Sequence, residues 1–345
     1  MSDSRTVPIV TAIIPTFRRA ALLKRAVLSV LAQTRPELLV LVCDNASDDE
    51  TGEVVAELAR HDPRVIYHRH PKNMGAQFNF QYGLDAVTTE MFSFLSDDDL
   101  LFPDFYRRAV RSLEGEPGAG FYASQTVLYD VGRGTHRLRP SKDWRAGRHE
   151  AGESARLMLL NPFVWTSCVF RTPVREAVGG LVPVPMGDVL FTVKAASAFP
   201  FVADLAVGAL YSETDSNFSR GLPIETLRRS NEVASDWAAG LLGISDAERD
   251  DMVRLVDALR VDMTNRIVRE AVEAGDFERF REAADSLLER GVLSFSRRAK
   301  LAIGRRGGWG FRALSAWTRF QAGSKRRRTS GWKTMSVEDI LDEYK

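Results

Sequence analysis

Three consecutive carboxylates, Asp97, Asp98 and Asp99, close the apolar run Met91-Phe92-Ser93-Phe94-Leu95. Side by side at the end of a hydrophobic strand they repel one another unless a positive charge sits among them. A divalent cation answers that need, because a hard ion takes carboxylate oxygens and can bridge to those of a pyrophosphate. If the segment stays extended, Asp97 and Asp99 point to one side and Asp98 to the other. One side then holds metal and nucleotide while the other ties down the scaffold. On its own such a triplet is more commonly a solvated acidic turn; the surrounding elements reverse that balance.

Those elements are repeated strand-helix units. An apolar run at 10–14 is closed by Pro15, and the spacing of Leu22, Leu23, Ala26, Val27, Val30 and Leu31 predicts a helix over 19–31. A second strand is expected at 38–42, ending at Asp44, and Asp48-Asp49-Glu50 then opens a helix whose positive N-terminus suits acidic residues. A third strand at 65–68, a third helix at 75–86 and a fourth strand at 91–95 follow. Strand starts about thirty residues apart are the period of a βαβ unit. Apolar runs without strict alternation suit a parallel sheet covered on both faces. Pro15-Thr16-Phe17-Arg18-Arg19, Asp44-Asn45 and Asp97-Asp98-Asp99 each lie just past the C-terminal end of a strand, the edge where open parallel sheets bind ligands. Neither G-x-G-x-x-G nor G-x-x-x-x-G-K-[ST] occurs in the first turn, which argues against a dinucleotide-binding domain and a P-loop.

The 345 residues are 44% hydrophobic and 27% charged, enough for two domains with a sizeable core. Cys43 and Cys168 show no metal-type spacing, so neither a disulfide framework nor a zinc site is expected. With no apolar signal core over 1–8 and no run of 18 apolar residues, the expectation is a cytoplasmic, non-spanning protein. The net charge of +1 conceals an asymmetry: residues 297–333 carry twelve Lys or Arg and no Asp or Glu, leaving −11 on the rest. Further along the chain, helices are expected at 102–113 and 187–198 and strands at 120–129 and 165–170. From 223 onward the pattern is helical, with a boundary near 220.

In order and spacing, four segments resemble the family 2 glycosyltransferases of the GT-A fold. They are Ile13-Ile14-Pro15-Thr16-Phe17-x-Arg19, Val42-Cys43-Asp44-Asn45-x-Ser47-x-Asp49, Asn73-x-Gly75-x-x-x-Asn79 and Phe94-Leu95-Ser96-Asp97-Asp98-Asp99. The likeness runs over about 9–102 and more loosely to 220. It implies a GT-A, Rossmann-like, mostly parallel α/β sheet flanked by helices over 1–220, followed by a helical region over 221–345. The activity implied is inverting, metal-dependent transfer of a sugar from a nucleoside-diphosphate donor to an acceptor hydroxyl.

Carried over residue by residue, Pro15, Thr16, Phe17 and Arg19 would belong to the nucleotide-sugar pocket and Asp44 would hydrogen-bond a pyrimidine base, which favours UDP- or dTDP-sugars. Asp97 would lie near ribose and sugar, and Asp99 would hold the Mn²⁺ or Mg²⁺ that bridges the diphosphate. Asp98 is open to either role, because the triplet can be aligned in two ways. Asn73, Gly75 and Asn79 either contact the ligand or cap and pack the third helix. The family's general base is a carboxylate at the start of a later helix. Gly179-Gly180-Leu181 followed by Met186-Gly187-Asp188-Val189-Leu190-Phe191 resembles that place and makes Asp188 the candidate, with an N-cap as its plain alternative.

There are two departures from the family pattern. Arg18 stands where Asn is usual. No histidine lies near Tyr211-Ser212-Glu213-Thr214, leaving either Glu213 or Asp215 as a substitute or a loosely held metal. His68 and His70 are expected as surface or packing residues. In the basic stretch Phe311, Leu314, Trp317 and Phe320 share half of a helical wheel, the make-up of an interfacial helix on an anionic membrane. That reading fits a lipid-carried acceptor, with a glycan or small molecule also open, and competes with a plain packed helix and with nucleic acid. A sugar-phosphate nucleotidyltransferase would show a glycine-rich loop where Pro15-Thr16-Phe17 stands. A non-enzymatic adaptor leaves the converging carboxylates unexplained.

Overall fold

Strand-helix alternation builds the first hundred residues as the apolar runs dictate. In a computed structural model the described residues are 7–35, 37–140, 143–182, 184, 186–214, 233, 236–289, 301–305, 307–312, 333–334 and 336–343. The first elements are β1 (Val10–Thr16), α1 (Ala20–Leu31), β2 (Leu38–Asp44), α2 (Thr51–His61), β3 (Val65–Arg69), α3 (Ala76–Asp85) and β4 (Met91–Phe94). The four strands are parallel in the order β3-β2-β1-β4, with Thr16 opposite Asp44 and Ile13 opposite Phe94. Every residue of β1 and β4 is buried, as unalternated apolar runs require when helices cover both faces. The α1 stripe of Leu23, Ala26, Val27 and Val30 packs into the same core as Val10, Ala12, Ile14 and Val40. On the other face Gly83 of α3 sits directly over Ile13, where a Cβ would come within 2.3 Å of Ile13 Cγ2.

Beyond β4 the chain adds β5 (Leu100–Leu101), α4 (Phe105–Gly115), β6 (Phe121–Asp130), β7 (Thr135–Arg139), β8 (Gly147–His149) and α5 (Ala155–Leu160). These are followed by β9 (Cys168–Arg171), α6 (Thr172–Val178), α7 (Gly187–Ala198) and β10 (Phe201–Glu213). The strand expected at 165–170 begins as a 3-10 turn, Trp165–Ser167, and only then extends as β9. β9 lies antiparallel between β4 and β6, so the parallel half continues into an antiparallel one. β10, for which the sequence pattern gave no sign, runs beside β6 from Phe201↔Phe121 to Glu213↔Asp130, with register shifts after Asp204 and Val207. Phe92, Phe94, Phe170 and Phe191 form a stacked and edge-on aromatic core beneath this junction.

The chain forms two compact units: 1–214 with 240–245 and 333–345, and 215–239 with 246–332. The boundary expected near 220 lies outside the described residues. In the first unit Lys333–Thr334 pairs with β7, and the helix Val337–Glu343 buries Ile340 against Leu100, Phe102, Val127, Tyr129, Val207 and Leu210. The second unit holds the helices Asp246–Ala274 and Phe277–Glu289 and helical residues at 301–305 and 308–312. Its core is Ala271, Val272, Phe280, Ala284, Leu287, Leu301 and Phe311. Phe311, expected on a lipid-facing surface, instead turns inward against Phe277 and Phe280, while Leu314, Trp317 and Phe320 lie outside the described residues. Among the described residues no helix is long and apolar enough to cross a membrane.

Candidate active site

The acidic triplet does not stay extended. Asp99 N–H donates to Ser96 O at 3.0 Å, making a turn that sends Asp97 and Asp98 together toward α1 and Asp99 the other way. The alternation expected for a strand is thereby overturned. The positive charge the triplet demands is supplied by Arg19, at the start of α1, whose Nη1 lies 3.1 Å from Asp97 Oδ1 and 3.0 Å from Asp98 Oδ2. Thr16, the last residue of β1, donates its hydroxyl to the other Asp97 oxygen at 2.8 Å. Burial works against the Arg19 charge, but Asp97 and Asp98 outweigh it and raise its pKa. One guanidinium does not compensate three carboxylates. Burial pushes Asp97 up to about 6 against the pull of Arg19, and it raises Asp98 as well.

Asp99 is fully enclosed: Ser212 N–H donates to Oδ1 at 2.9 Å and Thr166 Oγ1 donates to Oδ2 at 2.8 Å. Ser212 Oγ also donates to Asp98 O at 2.7 Å, so β10 clamps the turn from below. Burial, with Asp98 adding to it, raises the Asp99 pKa well above the ordinary range. The expected metal ligand thus faces the scaffold, and the other two carboxylates share Arg19. Among the described residues no three His, Cys, Asp or Glu side chains stand close enough to hold a metal by themselves.

The end of β2 carries the second cluster. Asp44 is fully buried, with Oδ1 accepting from Ser47 N–H at 2.9 Å and Oδ2 from Tyr67 OH at 2.6 Å. Burial, followed by that hydrogen bond, raises the Tyr67 pKa. Asn45 donates to Asn73 Oδ1 at 2.9 Å and accepts from Met74 N–H at 2.8 Å, tying the β2 end to the loop before α3. Gly75 in that loop has φ 89, a conformation glycine adopts without strain. Asn79 is a buried bracket that donates to Cys43 O at 2.7 Å and meets His70 Nε2 at 3.0 Å. His68 stacks on Tyr82 with centroids 4.1 Å apart, so both histidines pack as expected. Pro15 is buried and Phe17 half-buried, with the Arg18 guanidinium 4.9 Å from the Phe17 ring centre.

Asp188 lies in the first turn of α7, which begins at Gly187; Met186, not Asp188, is the N-cap. A Cβ on Gly187 would come within 2.4 Å of Val182 O, so only glycine lets the chain enter the helix this closely. Burial raises the Asp188 pKa against backbone hydrogen bonds of the helix start and the charge of Arg139. Arg139, at the end of β7, also lies within electrostatic reach of Glu213 and Tyr211 on β10. Tyr67, Arg139, Thr166 and Ser212 had no sequence signal, because each reaches its partner across the sheet rather than along the chain.

Backbone strain marks the same places. Among the described residues, the three non-glycine residues with left-handed φ are Arg18 (54°), Ala46 (65°) and Met186 (71°). They follow β1, follow β2 and precede Asp188, and strain of this kind gathers at ligand-binding loops.

This architecture, a sheet with its parallel half loaded at the C-terminal edge by Thr16, Asp44 and Asp97, is of the GT-A type. Residues 11–177 match the model of Glycosyl transferase family 2. Over 95 residues, 27% of this chain and 31% of the relative, it is 37% identical to GalNAc(5)-diNAcBac-PP-undecaprenol beta-1,3-glucosyltransferase of Campylobacter jejuni. The chain spans about a third or less of the first curated relatives it matches. Among solved structures it resembles S. aureus TarS 1-349 in complex with UDP-GlcNAc, with TM-score 0.63, 14% identity and coverage of 93% of this chain and 92% of that one. The mannosyltransferase PcManGT of Pyrobaculum calidifontis, in complex with GDP-Man and Mn²⁺, aligns with TM-score 0.50 at 17% identity, covering 94% and 88%.

Proposed function

We propose that the chain is an inverting glycosyltransferase moving one sugar from a nucleoside-diphosphate donor to an acceptor hydroxyl. The observation that carries this is the meeting of Thr16, Arg19, Asp97 and Asp98 at the C-terminal edge of a family 2 sheet, beside buried Asp44. The donor would lie along that edge, with its base toward Asp44, Tyr67 and Asn73 and its diphosphate toward Arg19 and Asp98. UDP- or dTDP-sugars are favoured, supported by the UDP-GlcNAc complex of TarS. A lipid-linked acceptor is favoured among glycans, glycolipids and small molecules, because the Campylobacter relative is named for an undecaprenol-linked one.

The residues fit a hard divalent cation in donor chemistry and in charge: carboxylate oxygens outnumber the single guanidinium, and burial disfavours their ionisation. Asp98, with Asp97 beside it, would hold Mn²⁺ or Mg²⁺; ions of this kind take one or two carboxylates and complete their shell with phosphate and water. Bound there, the cation would neutralise charge on the departing nucleoside diphosphate. Asp188 takes the proton of the acceptor hydroxyl as its oxygen bonds to the anomeric carbon. The anomeric carbon–oxygen bond to the diphosphate breaks in the same displacement, which inverts the configuration. Asp99 holds the turn to β10 and acts through Asp98.

A thermal-shift panel of nucleoside diphosphates and nucleotide sugars, with and without Mn²⁺, tests this. Asp98→Asn is expected to abolish the metal-dependent stabilisation with the unliganded melting point nearly unchanged. Asp99→Asn is expected to destabilise the unliganded protein by about 1–3 kcal/mol for a disrupted buried acceptor, read as a lower melting point. Metal-dependent stabilisation that survives Asp98→Asn but vanishes in a fully stable Asp99→Asn protein would return the metal to Asp99. Stabilisation by no nucleotide at all would remove the donor reading.

A further inference from the structure

In the second unit, residues 301–305 and 307–312 present two unlike faces. Leu301, Gly304, Gly310 and Phe311 are buried, while Ala302, Ile303, Arg305, Gly308, Trp309 and Arg312 are exposed. The inward face is held by Phe311, whose ring centre lies 5.3 Å from Phe277 and 5.1 Å from Phe280. A Cβ on Gly310 would come within 2.3 Å of Ile303 O, so the two helical stretches touch there, and Ile303 and Trp309, the residue before Gly310, are both exposed. Trp309 is 81% exposed and Ile303 51% exposed. Arg305 and Arg312 are exposed on the same two stretches, Arg305 with a partner in Asp285 at 2.6 Å. The patch lies inside the stretch 297–333, with its twelve cations and no acidic residue.

A tryptophan left this open to water, beside an isoleucine and among cations, matches the headgroup boundary of a bilayer. There the indole enters the interface, the aliphatic chain leaves water and the cations meet lipid phosphates. We propose that the outward face of 301–305 and 307–312, led by Trp309 and Ile303, seats the protein on an anionic lipid bilayer, with the charge of the basic stretch supplying the attraction. Charge complementarity selects anionic over neutral lipid. Ile303 selects lipid over nucleic acid, since phosphate and base contacts would use the cations and the indole but not an exposed aliphatic side chain. The surface is independent of the donor site, so either reading can fail alone.

Co-sedimentation of the full chain with phosphatidylglycerol/phosphatidylcholine vesicles tests it against pure phosphatidylcholine vesicles and a single-stranded oligonucleotide. Retention on the anionic vesicles alone is expected, weakened by salt and weakened about tenfold or more in Trp309→Ala/Ile303→Ser. Brominated lipid should quench a component of tryptophan fluorescence that is missing in Trp309→Phe. Both substitutions alter exposed side chains, and circular dichroism and nucleotide-induced thermal shifts should match the parent protein. Equal vesicle binding by the double variant would overturn the role of this patch. Retention by the oligonucleotide with none on vesicles, or no retention on either, would overturn the lipid surface itself.

Discussion

Arg18 shows how a single residue records the demands of a site. It occupies a left-handed position, φ 54°, where Asn is the residue usual to the family and tolerates that conformation far better than a long side chain does. Its N–H donates to Ser47 Oγ at 2.8 Å and its guanidinium pairs with exposed Asp48, so the first and second strand ends are joined through the strained turn. Asp188 is the residue on which pH dependence should be read. Its pKa is raised by burial, so in the proposed role of base it should lose activity on acidification at a higher pH than an ordinary carboxylate. Its effect on stability has the opposite sense: the protonated form favours the fold, and that contribution fades as pH rises through the folded-state pKa. The acidic limb of kcat/KM should therefore sit above the usual carboxylate range, and Asp188→Asn should remove that limb and about 10²–10⁴ of the rate. An unchanged limb in the residual activity of the variant would assign the proton to another group. The carboxylates themselves were legible in the sequence because they closed apolar runs. Their partners were not, since Thr166 and Ser212 come from 67 and 113 residues beyond Asp99 and carry no local signature.

Elements with strong periodicity were legible almost to the residue. The helix expected over 187–198 is α7, Gly187–Ala198, and the β1 to β4 alternation follows the thirty-residue spacing. β10 was not legible because its burial is uneven, with Asp204 half-buried and Leu205 and Ala206 exposed at a register break. The acidic triplet misled for a related reason: periodicity assumes a continuing strand, and the Ser96–Asp99 turn ended it. Close helix-sheet packing supplies a prediction at this scale. Gly83→Ala on α3 would press a methyl group against Ile13 Cγ2 and Cys43 Sγ, under the strands that carry Thr16 and Asp44. The expected cost is about 1–3 kcal/mol, seen as a lower denaturant midpoint with an unchanged slope. A neutral or stabilising result would mean that α3 is free to shift on the sheet.

Across the whole molecule, the first unit is not contiguous in sequence. Its core under β5 is closed by Ile340, fully buried against Leu100 and Phe102, the residues that lead away from Asp99. Ile340→Ala should destabilise the first unit by about 2–5 kcal/mol. Stabilisation by nucleotide should then need more ligand, because the floor beneath the turn loosens; an unaltered melting point would show that the helix Val337–Glu343 contributes no packing. This discontinuity was not legible, because a seven-residue helix after a basic stretch has no pattern that says where it docks. It also has a consequence in time. A ribosome adds about 5–20 residues each second, so the helix bearing Ile340, roughly 120 residues downstream of Thr214, emerges several seconds or more after the rest of the sheet. Until then Leu100 and Phe102 lack a cover, and the nascent domain waits with its acidic turn on an unfinished support while the second unit is still being synthesised. Slowing or stalling translation between those two points should leave the sheet formed but the turn open to protease.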